Sequence, residues 1–161
     1  MTSPIPAHRL TPGQLAATGP RAAADASQYE QILDAIFAGA DLHYAPGRAL
    51  AAPDAVAGDP DLDLLKGDES YAHGLKQLAE LGDLDAVAQL ADLISLLAQA
   101  RAEDDELLAD CVWVAGAVAV GWGATPQLEA AKQSARDGVP GAAQALLQAA
   151  DDHRLGQSGG G

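Results

Sequence analysis

The sequence predicts an all-α protein, a compact bundle of five to six antiparallel helices around one buried apolar helix. Much of the chain's 48% hydrophobic content is alanine, and the chain contains one phenylalanine. Alanine has the highest helix propensity and contributes little to a β-sheet. Helix start and stop signals recur at short intervals along the chain, and tight turns favour antiparallel neighbours.

The central element of the predicted fold is the stretch from Cys111 to Gly123, CVWVAGAVAVGWG, which carries no charged side chain. It is too short to cross a bilayer, which takes about 20 apolar residues. The acidic run at 103–106 suits the start of a helix, because carboxylates are stabilised at the positive end of the helix dipole. We therefore expect a helix from about Asp104 to Trp122 that other helices enclose, with glycine and alanine allowing close approach.

Five further helices are predicted from capping residues, prolines and apolar spacing. They cover residues 27–39, 69–81, 84–102, 126–137 and 140–153. Thr125 before Pro126 is typical of a helix start, and Gly82 and Gly138 are typical of helix ends. Ser27 and Glu30 fit a capping box.

The apolar spacing also predicts which face each helix buries. In the helix at 27–39 the buried residues are Tyr29, Ile32, Leu33, Ile36 and Phe37, and in the helix at 69–81 they are Tyr71, Leu75 and Leu78. In the helix at 84–102 we expect Leu84, Val87, Ala91, Ile94 and Ala98 on the core side, and Asp85, Gln89, Asp92 and Gln99 on the polar side.

The chain is expected to form one domain with loose ends. Residues 1–26 are rich in proline, alanine and glycine and predict a flexible arm, in which Thr11 and Pro12 start one helical turn. The helical domain covers 27–155 and contains a long loop at 41–68. The glycine-rich residues 156–161 predict a flexible tail.

A weak internal sequence repeat leaves a second arrangement of the helices open. Residues 76–86 and 132–142 share lysine, glutamine, alanine and glycine positions at an offset of 56 residues. Each copy covers a helix end, a glycine turn and the next helix start. α-Solenoid-like hairpins are therefore an alternative to a simple bundle.

The net charge of −14 is concentrated in one part of the chain. Residues 54–110 carry fifteen acidic side chains against three basic ones, a net charge of −12, whereas the remainder is nearly balanced. Direct nucleic-acid binding is disfavoured, since it takes a basic surface. We therefore expect a non-catalytic interaction protein of the adaptor, chaperone or immunity type that binds a basic partner protein. The predicted partner-binding residues are Glu80, Asp85, Asp92, Asp104 and Asp105.

The motifs of common enzyme and metal sites are missing or incomplete. Asp59, Asp61 and Asp63 have the spacing of the first ligands of an EF-hand calcium loop, but the glycine and the final glutamate of that loop are absent. Glu69 and His73 lie on one face of a predicted helix, together with a lysine and another glutamate, and are typical of a solvent-facing stripe. We therefore predict no metal, no cofactor and no catalytic residue.

Two alternative functions stay open at this point. A small helical enzyme or ligand-binding protein would place a pocket among the alanine- and glycine-packed helices; its candidate residues are His43, Tyr44, His73, Trp113 and Trp122. A self-assembling structural subunit, a homo-oligomer, would bury the apolar helix between copies. The sequence shows no membrane span or signal pattern, and its composition suggests a bacterial, cytoplasmic protein.

Overall fold

A computed structural model describes residues 10–44 and 60–158, with side chains described at 10–40, at 62 and at 65–156. The described residues form seven α-helices and one 3-10 segment and contain no strand, which confirms the all-α class. The helices are α1 (Pro12–Ala17), α2 (Ala26–Tyr44), α3 (Pro60–Glu80), α4 (Leu84–Ala102), α5 (Glu106–Trp122), α6 (Pro126–Arg136) and α7 (Ala142–Ser158), and the 3-10 segment is Ala23–Asp25. Each helix in this part of the chain is too short or too polar to cross a membrane.

Helix α5 is the centre of the core, as predicted. The Asp105 carboxylate caps it by accepting a hydrogen bond from the Leu108 amide at 3.0 Å. Every residue of α5 is buried except Glu106, Leu107, Asp110 and Val114. Helices α1, α4 and α7 pack around it. The apolar sequence therefore forms an enclosed helix rather than a strand.

Glycines bring two neighbouring segments unusually close to α5. A Cβ atom at Gly116 would overlap the Leu93 side chain of α4. A Cβ atom at Gly121 would lie 2.5 Å from the Ala16 carbonyl oxygen of α1. The predicted role of the small residues in close helix packing is confirmed at these positions.

The helical turn predicted to start at Thr11 and Pro12 is confirmed as α1, whereas the rest of residues 10–26 is packed on the domain instead of forming a flexible arm. Thr11 and Gln14 form a complete capping box at the start of α1, and Leu15 and Ala16 are fully buried. The Gly13 amide donates to the Asp34 carboxylate of α2 at 2.9 Å. Small residues let α1 touch the backbones of α2 and α5 directly, which a pattern of large apolar residues does not reveal. Residues 1–9 lie outside the described residues.

The predicted loop at 41–68 is too long at both ends. Helix α2 continues to Tyr44, and α3 begins at Pro60 instead of residue 69. Proline is compatible with a first helical turn. A Cβ atom at Gly39 would lie 2.6 Å from the Gly67 carbonyl oxygen, so this part of α3 is packed closely against α2. Residues 45–59 lie outside the described residues.

The buried face of α4 agrees only in part with the predicted one, because Val87 and Ile94 are partly buried against the core but other predicted residues are not. Leu84 is 70% exposed and Ala91 is also exposed. The buried residues are Ala86, Leu90, Leu93, Leu96, Leu97 and Ala100. Apolar residues occur on several sides of this helix, and α4 lies against both α5 and α6, so no single stripe decides its orientation.

The helix ends agree with the glycine signals. Gly82 and Gly138 adopt φ angles of 80° and 69°, a region that glycine enters without strain. Thr125 caps α6 ahead of Pro126, as predicted. Ser27, however, lies inside the first turn of α2, because the 3-10 segment leads directly into that helix. The predicted tail is helical up to Ser158.

Candidate functional site: the Trp113 groove

An apolar groove opens where α1, α2 and the first half of α5 meet. Its volume is about 330 Å³, and we call it the Trp113 groove; it is lined by Leu10, Pro12, Leu15, Phe37, Asp110, Trp113 and Val114. The Phe37 and Trp113 rings meet edge to face, with centroids 4.9 Å apart and an interplanar angle of 81°. This geometry is the one that aromatic pairs prefer.

The walls of the groove are held by contacts outside it. The Asp34 carboxylate holds the Gly13 amide, which fixes α1 on α2. The Arg21 amide donates to the Gly121 carbonyl at 2.9 Å, which fixes the segment after α1 on α5. The groove is therefore formed by anchored helices rather than by a free loop.

The rim of the groove is acidic on the α5 side. Asp110 is exposed, and Leu107, one turn earlier, is 52% exposed. The run at 103–106 lies just before it, at the turn between α4 and α5. The Arg101 guanidinium contacts both carboxylate oxygens of Glu106 at 2.8 and 2.9 Å, so the charge of that glutamate is offset within the protein.

The predicted partner-binding residues do not form one surface. Glu80 and Asp85 lie at the N-terminal end of α4, and the Asp85 side chain is 94% exposed. Asp104 and Asp105 lie at the other end of α4, a helix of 19 residues. Such a helix is about 28 Å long, so two separate acidic patches result.

The fifth predicted residue, Asp92, belongs to a charged cluster between α4 and α6. Lys132 is 4% exposed, and its ammonium donates to Asp92 at 2.9 Å and to Gln89 at 3.0 Å, and lies 2.7 Å from Glu129. Burial alone raises the pKa of Asp92, but the hydrogen bond and charge of Lys132, with Arg136 beside it, hold this pKa below its ordinary value. Asp92 thus holds α6 on α4, and we leave it out of the partner surface.

A second polar cluster connects the segment after α1 to α2 and α4. The Asp83 carboxylate accepts hydrogen bonds from the Tyr29 hydroxyl at 2.6 Å, the Arg21 guanidinium at 2.9 Å and the Ala86 amide at 3.0 Å. Burial, followed by the hydrogen bond to Asp83, raises the pKa of Tyr29 to about 12. Burial also raises the pKa of Asp83, but the three hydrogen bonds and the charge of Arg21 outweigh it and hold this pKa below its ordinary value. Asp83 therefore caps the start of α4, and Tyr29 and Arg21 hold its carboxylate in place.

Of the predicted pocket residues, the three whose side chains are described, His73, Trp113 and Trp122, are not brought together. Trp113 lies in the groove, whereas the Trp122 side chain is buried elsewhere in α5 and its carbonyl oxygen lies 3.2 Å from His153 Nε2. His73 is exposed on α3. The side chains of His43 and Tyr44 lie outside the described residues. The space enclosed by α4, α5 and α7 is about 10 Å³, large enough for one water at most.

The described residues show neither a cluster of metal ligands nor a thiol in an activating environment. No group of three or more histidine, cysteine or carboxylate side chains there is arranged to hold a metal ion. Asp59, Asp61 and Asp63 are not tested, because their side chains lie outside that part of the chain. Burial, with Asp110, Asp105 and Asp151 nearby, raises the pKa of the Cys111 thiol, which disfavours the reactive thiolate.

Most of the groove residues were missed by the sequence analysis. Leu10, Pro12 and Phe37 come from segments far from Trp113 in sequence, and no local pattern connects them. One signal was available: Asp110 is the only charged residue between Leu107 and Trp122. A lone charge within an otherwise apolar helix indicates where that helix reaches the surface. Comparisons of the chain with protein-family models, with curated proteins and with solved structures found no match.

Proposed function

We propose that this protein is a non-catalytic interaction protein, of the adaptor, chaperone or immunity type, that binds a basic partner protein. The observation that carries the proposal is the charge left on the surface. In the described part of the chain, eleven acidic side chains are exposed besides Glu106, whose charge Arg101 offsets: Asp25, Asp68, Glu69, Glu80, Asp85, Glu103, Asp104, Asp105, Asp110, Asp137 and Asp152. Three exposed basic side chains oppose them there: Arg21, Lys66 and Lys76.

The surface is this acidic because several basic side chains are turned inward. Lys132 and Arg154 are buried, and Arg101 is mostly buried against Glu106. Exposed like charges repel one another and destabilise the folded chain. A basic partner relieves that repulsion and is attracted from a distance, so association is fast at low salt.

We also propose a source, a cellular location and an antiparallel helix arrangement for the protein. Its composition supports a bacterial source and a cytoplasmic location. The short connections between successive helices from α3 to α7 support an antiparallel course. The enzyme, ligand-binding and self-assembly alternatives stay predictions, because no feature of the described residues favours one of them over partner binding.

The proposal is tested with a charge-reversal variant that should leave the fold intact. Glu80 is the last residue of α3 and Glu103 is the C-cap of α4, so both lie at the negative end of a helix dipole. Lysine at these sites is favourable to the dipole, which offsets the loss of the exposed Lys76–Glu80 ion pair, and the double variant Glu80→Lys/Glu103→Lys should melt close to the wild-type temperature. Affinity capture from a lysate of the source organism, with mass spectrometry, is compared between the two proteins.

The expected result is that wild type captures basic proteins at low ionic strength and releases them as salt rises, and that the double variant captures less of them. The control is Lys66→Glu, an exposed change of the opposite sign, which should capture as much as wild type or more. Equal capture by all three proteins, or capture that salt leaves unchanged, would refute the proposed function.

A further inference from the structure

We propose that the Trp113 groove is where the partner docks, and that it receives an apolar side chain from a basic segment whose arginine or lysine lies against Asp110. This inference rests on the proposed function and adds a location and a recognition chemistry to it. The partner segment is defined by two features together, an apolar anchor and an adjacent cation.

The walls of the groove supply the apolar contacts for the partner. Trp113, which is 6% exposed, and the partly exposed Phe37 form aromatic walls of the groove, and aromatic residues are enriched at the energetic centres of protein interfaces. Both rings are held in place, Trp113 by the buried helix α5 and Phe37 by its edge-to-face contact with Trp113. A preformed apolar surface binds without a large ordering cost.

Asp110 supplies the charged contact for the partner. Its side chain is exposed on the groove, and no cation in the described part of the chain forms an ion pair with it. The nearest basic residue along the chain, Arg101, is already engaged by Glu106. The exposed carboxylates of Asp104 and Asp105, near the start of α5, add to the attraction for an arriving arginine or lysine.

The shape favours a protein segment over a small molecule. Small-molecule sites enclose most of their ligand. Here the surface continues along the outside of α5, where the apolar side chains of Leu107 and Val114 flank the Asp110 carboxylate at helical spacings of three and four residues and all three are at least partly exposed. A groove that runs along a helix fits a chain better than it fits a compact ligand.

The test uses the full chain and a fluorescent probe peptide in which a pair of leucines, one helical turn apart, is flanked by arginines. Two companion peptides replace the leucines by serine or the arginines by glutamate. Affinity is measured by fluorescence polarisation, and the site is mapped by amide NMR. The wild-type protein should bind the probe, bind each companion at least about tenfold more weakly, and show its shifts at Leu10, Phe37 and Trp113.

Matched variants separate the groove from general charge. Asp110→Lys should weaken probe binding about tenfold, whereas Glu69→Lys, the same change of charge on exposed α3, should change it less than about twofold. Val114→Thr should weaken binding several-fold, whereas Val139→Thr, a matched change at the exposed turn before α7, should not. All four variants are expected to fold, which melting curves check.

The groove proposal is overturned if wild type does not bind the probe, or if the serine peptide binds as well as the probe. It is also overturned if the shifts map to α3 or the N-terminal end of α4; charge-dependent capture by the surface would then survive without the groove. Dimerisation of the protein alone through the groove would make a second copy the occupant. If Ile5→Ser alone shifts the groove resonances, the occupant is the chain's own N-terminal segment. Either result contradicts the proposal.

Discussion

Replacing Gly121 by alanine tests the backbone contact that holds α1 against α5. The added Cβ atom would lie 2.5 Å from the Ala16 carbonyl oxygen and 3.2 Å from the Ala16 Cα atom. Both are backbone atoms, so no side-chain rotation relieves the overlap, and α1 must retreat by about 1 Å to reach ordinary van der Waals separation. Alanine gains at most about 1 kcal/mol of helix propensity over glycine. Overpacking of a buried site costs about 1–3 kcal/mol.

The net expectation for Gly121→Ala is a loss of about 1–2 kcal/mol in the free energy of unfolding, or a Tm lower by about 3–8 °C. Hydrogen exchange of residues 12–17 should accelerate as well, because the contact of α1 with α5 is loosened. The matched control is Gly156→Ala in α7, where an added Cβ atom has no neighbour within 4 Å. That variant should be as stable as wild type or slightly more. If Gly121→Ala behaves like the control, the close approach of α1 and α5 is wrong.

Three further substitutions and the pH dependence of melting test the core and the two polar clusters. Val118→Asp should lower the free energy of unfolding by more than about 3 kcal/mol, since Val118 is fully buried and a carboxylate there has no partner. If this variant melts at the wild-type temperature, α5 is not the core. Asp92→Asn should lower the free energy of unfolding, measured by urea denaturation, by about 1–2 kcal/mol. This loss is smaller than the 3–5 kcal/mol of a fully buried pair because Asp92 is half exposed. An unchanged free energy of unfolding would mean that Lys132 does not depend on Asp92. In pH-dependent melts, the stability from the lowered pKa values of Asp83 and Asp92 should be present above pH 3.8 and lost below it. Because the pKa of Tyr29 is raised from 10.0 to about 12, stability should also fall as pH rises through that interval, and Tyr29→Phe should abolish this loss; an unchanged alkaline profile would contradict it.

The elements that the sequence analysis predicted well are those with local signals. The acidic run and apolar stretch define α5 to within two residues at its start, because dipole and burial preferences act along one helix. The Thr125–Pro126 pair and Gly82 mark helix ends for similarly local reasons. Such signals need no knowledge of the rest of the fold.

The elements it missed depend on contacts between distant segments. The start of α1 was predicted from Thr11 and Pro12, but its packing was missed, because glycines and backbone atoms of α5 hold it and small residues give no apolar stripe. The orientation of α4 depends on α5 and on the buried Lys132 of α6, and a lysine is ordinarily read as exposed. The Trp113 groove was predicted only at Trp113 itself, because its other walls come from α1 and α2.

The arrangement of charge and groove divides the binding process into two measurable parts. Exposed charges act over about 8–10 Å at physiological salt and chiefly raise the association rate, whereas contacts that exclude water chiefly lower the dissociation rate. Glu103 is exposed in the acidic run beside the groove and does not line it, so Glu103→Lys should slow association of the leucine–arginine probe and leave dissociation unchanged. Val114→Thr alters only the groove surface and should speed dissociation at an unchanged association rate. Stopped-flow kinetics at two salt concentrations separate the two effects, and a change of both rates in both variants would show that charge and groove do not act as separate sites.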